Sequence, residues 1–79
     1  MERSNRKPYS DLGGRSGVRY FALGPSFIRI WFQDGEGYEY DDRRPGRAHV
    51  EAMRRLASEG RGLATYINQH VRGNYARKL

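Results

Sequence analysis

Three sets of side chains in this 79-residue chain are able to do chemistry: two histidines, a short run of carboxylates, and arginines set among aromatic rings. His49 and His70 are the only imidazoles. A pair of them can move protons near neutral pH. No nucleophile and no oxyanion loop accompanies them, so each reads as a hydrogen-bonded residue at the edge of a core, and no enzyme is expected. The carboxylates are Asp34, Glu36, Glu39, Asp41 and Asp42. Hard cations need several oxygen ligands, but this spacing does not match an EF-hand loop. Charged turn and edge residues, which also discourage edge-to-edge strand pairing, account for it better. No metal and no other cofactor is expected.

The arginines remain. The net charge is +6, and it is unevenly placed: residues 20–42 are net acidic, and the segments on both sides are net basic. A basic surface attracts nucleic acid, and it also attracts acidic protein. Arg43, Arg44 and Arg47 fall at the expected entrance of a helix, where free backbone N–H groups also point outward, so together they could hold a phosphate. Arg72 shares a polar helix face with Thr65, Asn68 and Gln69. There it could touch a phosphate or serve only as a solvated residue; Asn68 reads as a structural hydrogen-bonding residue. The basic tail adds Arg77 and Lys78. Trp31 and Arg29 alternate along one strand and would offer stacking and charge on the same face. Arg54 and Arg55 read as a solvated helix face, with Glu51 and Arg55 as an i,i+4 pair. The expected partner is nucleic acid, RNA ahead of DNA, bound by Arg43, Arg44, Arg47, Arg72, Arg77, Lys78, Trp31 and Arg29. The alternative is a protein-interaction module, an adaptor or phage-type inhibitor, docking on an acidic protein or nucleoprotein. The oligomeric state is left open.

The elements that position these groups follow from periodicity and punctuation. There is no cysteine, no apolar run of membrane-spanning length and no apolar stretch near the N-terminus, so a cytoplasmic protein is expected. Residues 1–14 are polar and aperiodic, the pattern of a flexible basic arm. Residues 16–23 and 27–33 read as strands, the second β-branched and aromatic. Asp34-Gly35 marks a hairpin into a third strand at 38–42. Residues 47–58 and 62–75 carry apolar positions at helical spacing, with Gly60 and Gly73 as stops. The expected fold is α+β, a three-stranded antiparallel meander followed by two helices on one sheet face, within a single domain at 15–76 and with a basic tail at 77–79.

The hairpin register decides where the tyrosines point, because a one-residue slip turns every side chain over. A two-residue Asp34-Gly35 loop would put Tyr38 and Tyr40 on the face of Trp31. A three-residue loop, Gln33-Asp34-Gly35, with Gly35 in the left-handed position, pairs Phe32 with Glu36, Ile30 with Tyr38 and Ile28 with Tyr40. The second is preferred, because it gathers Ile28, Ile30, Phe32, Tyr38 and Tyr40 under the helices. Phe27, Arg29 and Trp31 then fall on the opposite face, with Arg19 and Phe21 from the first strand. Either that face is open to a ligand, or a terminal segment covers it as a second small core.

An ordered set of residues resembles the KTSC domain, named for a short region at the C-terminus of some lysyl-tRNA synthetases and also found as small stand-alone bacterial or phage proteins. The set is Ser16 opening the first strand, Phe32, Gly35, Tyr38 and Tyr40, Pro45 at the helix entrance, Ser58 and Gly60 between helices, Tyr66-Ile67-Asn68, Val71-Arg72 and Tyr75. It spans about residues 16–76. Gly37 departs from the family's hydrophobic residue before the first tyrosine, and the residues around Leu63 look inserted. The resemblance implies an RNA-associated domain and no defined reaction.

Overall fold

The alternation that marks residues 27–32 is the centre of the sheet. The structure, a computed structural model, describes residues 6–12 and 17–79. Its order is β1 (Lys7–Pro8), β2 (Val18–Leu23), β3 (Phe27–Phe32), β4 (Gly37–Asp41), α1 (Arg47–Glu59), α2 (Leu63–Tyr66) running directly into a π-helical turn (Ile67–Val71), and β5 (Arg77–Lys78). All strands pair antiparallel in chain order. The α+β arrangement agrees with the sequence, but the sheet has five strands where three were expected. The two added strands are two-residue edges, too short to show a period. β1 comes from the expected arm, of which residues 1–5, 13 and 14 lie outside the described residues, as does Ser16; β5 comes from the expected tail.

One sheet face carries both helices. Ile28, Ile30, Val18, Val50, Met53, Leu63 and Val71 are almost completely removed from solvent and form the core with Phe21, Tyr40, Ala57 and Ile67. Val50, Met53 and Ala57 recur on the buried side of α1, as helical spacing requires. Gly60 closes α1 in the left-handed conformation, with its N–H on the Leu56 carbonyl. Tyr9, next to β1, is also buried, and its hydroxyl accepts the free N–H of Leu63 at the start of α2. The N-terminal segment is therefore tied into the core at Tyr9.

The β3–β4 hairpin has the three-residue loop. Phe32 N–H donates to Glu36 O at 2.8 Å, Gly35 N–H to Phe32 O at 2.9 Å, and Gly35 has φ of 91°. Ile30 faces Tyr38, and Ile28 faces Tyr40. On β2 the register shifts between Val18 and Tyr20, leaving Arg19 as an extra residue. Strict alternation would keep Val18 and Tyr20 on one face; the bulge separates them. Phe21 therefore turns into the core opposite Ile30, and Tyr20 takes the outer place beside Trp31 that the alternation had given to Phe21. No helix among the described residues is long and apolar enough to cross a membrane.

Candidate functional site

The sheet face away from the helices is built by one residue in two from each strand. β3 contributes Phe27, Arg29 and Trp31; β2 contributes Tyr20 and Ala22; β4 contributes Gly37 and Glu39; β5 contributes Arg77. Trp31 lies across Gly37, where an added Cβ would come within 2.6 Å of the indole Cδ1. That close approach explains why a hydrophobic side chain is absent at position 37: the indole occupies its space. Phe27 covers Gly24 in the same way.

Guanidinium groups lie on this aromatic layer. Arg6 sits 4.5 Å from the centre of the Tyr20 ring and 5.2 Å from that of Trp31, Arg19 lies 5.5 Å from Tyr20, and Arg29 lies 4.9 Å from Phe27. Such contacts are each worth about 0.5–1 kcal/mol at exposed sites. Arg29 Nε also meets Glu39 Oε1 at 2.8 Å, and Arg77 Nη2 approaches the same oxygen at 3.3 Å. One carboxylate thus spaces two arginines along the face without neutralising both. A shallow groove of about 270 Å³ opens between Arg6, Arg19, Tyr20 and Trp31 and reaches Phe32 and Gly35.

The eight residues expected to bind a partner do not form one surface. Trp31, Arg29 and Arg77 share the outer face. Arg43, Arg44 and Arg47 are exposed beyond the Asp41 end of β4, whereas Trp31 stands at its Gly37 end. There the Asp41 carboxylate accepts the backbone N–H groups of Arg43 and Arg44, and Arg44 Nε reaches Asn74 Oδ1 at 3.3 Å. Lys78 points to the helix side of the sheet, with Nζ 2.6 Å from Glu36 Oε1; this contact holds its ammonium above the ordinary lysine value. Arg72 ends the π-turn on the helix side as well.

Other expectations change in detail. His49 shares a 2.7 Å hydrogen bond with the Tyr66 hydroxyl, but His70 is exposed and stacks on Tyr66 at 4.5 Å, because Leu63, Ile67 and Val71 take the buried side of that helix. Glu51 pairs with Arg54 at 4.0 Å and Arg55 with Glu59 at 3.8 Å, in place of Glu51 with Arg55. Arg54, expected to be solvated, donates to the Gly24 carbonyl. Asn68, expected to hold backbone, is exposed and makes no side-chain hydrogen bond among the described residues. Sequence reasoning missed Arg6, Tyr20 and Tyr9. Tyr9 had one available signal, an aromatic residue alone in a polar stretch directly after Pro8.

Compared with family models, curated proteins and solved structures, the chain matches none of them.

Proposed function

We propose that this is a small non-catalytic domain that binds single-stranded nucleic acid, RNA ahead of DNA, on the sheet face away from the helices. The observation that carries the reading is the layer of Tyr20, Trp31 and Phe27, with arginines lying on the rings. Unstacked bases bind aromatic and guanidinium planes, and the same arginines reach the phosphates between them. Membership of the KTSC family, proposed on the ordered set of residues from Ser16 to Tyr75, is in keeping with an RNA-associated role. Of the arginines first singled out, Arg29 and Arg77 belong to this surface; Arg43, Arg44 and Arg47 would lie along the path of a longer strand.

The test is fluorescence anisotropy of a labelled single-stranded RNA. Trp31→Ala is expected to weaken binding by about tenfold, the effect of losing one stacked base. Unchanged affinity in Trp31→Ala and in Tyr20→Ala would overturn the reading. The scatter of the other arginines supports a second one, a protein-interaction module. Under it, a partner co-purifies at fixed stoichiometry after nuclease treatment, and RNA binds weakly or not at all.

A further inference from the structure

A second concavity lies on the other side of the sheet, where the β3–β4 hairpin and the π-turn diverge. It measures about 610 Å³, within the range of small-molecule sites. Its wall is aromatic: Tyr38 and Tyr75 stand 4.6 Å apart with their planes inclined by 43°, and Tyr40 meets Tyr75 edge-on at 6.5 Å. Its mouth is polar. Asn68 and Arg72 project from one side of the π-turn, and the Asp34 carboxylate stands on the hairpin side. Segments of π-helix inside α-helices occur often at binding sites.

The hydrogen-bonding inventory says what would fill it. Among the described residues, neither Asn68, Arg72 nor the hydroxyls of Tyr38, Tyr40 and Tyr75 make a side-chain hydrogen bond. A purely apolar ligand would leave these donors unused. Asp34 and Glu36 both line the cleft, but Glu36 is already paired with Lys78, so a cation would find one carboxylate, Asp34, set against the Arg72 guanidinium. A bare phosphate would use Arg72 but leave the aromatic wall empty. The complementary molecule has a planar body, hydrogen-bonding edges and an anionic end. We propose that this cleft binds one ribonucleotide unit, with its base against Tyr38 and Tyr75, its phosphate on Arg72, its base edge read by Asn68 and a sugar hydroxyl donated to Asp34. Its source is either a free mononucleotide or the 5′-phosphorylated end of a strand. The inference stands apart from the outer-face reading, since the two sites share only Phe32 at their margins.

The test is an amide NMR titration of the full chain with the four ribonucleoside monophosphates. Inorganic phosphate and adenosine serve as separate probes. At least one nucleotide is expected to shift Asn68, Arg72, Gly73 and Tyr75 and to bind more tightly than either probe alone. Arg72→Ala is expected to weaken it by about tenfold, the loss of one charged hydrogen bond, with partial recovery in Arg72→Lys. Both variants change an exposed side chain, and their amide spectra report whether the fold persists. Trp31→Ala should leave this binding intact. A tetranucleotide with a 5′-phosphate that outcompetes the monophosphate assigns the source to a strand end; equal affinity assigns it to the free nucleotide. The proposal is overturned if no nucleotide moves these resonances at millimolar concentration, or if Arg72→Ala binds as the native chain does.

Discussion

A largely buried phenol gives up its proton late. Burial, and then the neighbouring phenols of Tyr38 and Tyr75, push Tyr40 from 10.0 up to about 12. The folded state therefore holds a proton that the unfolded chain releases first. The sign follows from linkage: Tyr40 leaves stability unchanged below pH 10 and subtracts from it progressively between 10 and 12. Urea midpoints measured across that window should fall, and Tyr40→Phe should flatten the fall. At neutral pH Tyr38→Phe and Tyr40→Phe remove no protein hydrogen bond among the described residues, so each should change stability by less than about 1 kcal/mol and leave strand binding on the opposite face intact. Tyr9 behaves differently, because its hydroxyl satisfies Leu63 N–H and its ring fills the core. Tyr9→Phe should cost about 1 kcal/mol and Tyr9→Ala about 3 kcal/mol in denaturant melts.

At the scale of elements, the hairpin and the first strand show what a sequence can and cannot disclose. The β3–β4 register was legible because only one loop length placed Ile28, Ile30, Tyr38 and Tyr40 on a common apolar face, and Gly35 was free to take the positive φ that this loop requires. The bulge at Arg19 was not legible. Nothing local marks it, and it arises because Val18 and Phe21 both gain from burial although strict alternation puts them on opposite faces. Half of the outer site was hidden with it: Trp31, Arg29 and Phe27 could be placed from β3 alone, whereas Tyr20 needed the bulge and Arg6 needed a two-residue strand. Edges of that length are decided by backbone pairing with a sheet already formed, not by their own pattern. At Gly37 the Trp31 indole of β3 lies directly against the β4 backbone. Gly37→Val should displace the indole, and the change is expected as a shift in Trp31 fluorescence emission together with a lower melting temperature.

For the whole molecule, the decisive property is how charge is divided between the two sides of the sheet. Arg29 and Arg77 meet Glu39 on the outer face, and Arg6 and Arg19 lie over its aromatic rings, while Asp34, Glu36 and Lys78 lie toward the helix side. A strand crossing the outer face would displace counterions, so log affinity should fall with log salt at a slope of about −2 to −3, given roughly 0.7 per neutralised phosphate for single strands. The most direct measurement is a titration of the isotopically labelled protein with a short single-stranded RNA, followed by amide and indole resonances. The account predicts that the largest shifts fall on Tyr20, Arg29, the Trp31 indole N–H, Gly37 and Glu39, that they recede as salt is raised, and that the backbone shifts need about tenfold more RNA in Trp31→Ala. Shifts confined to the exposed side of α1, or no shifts at low salt, would contradict it.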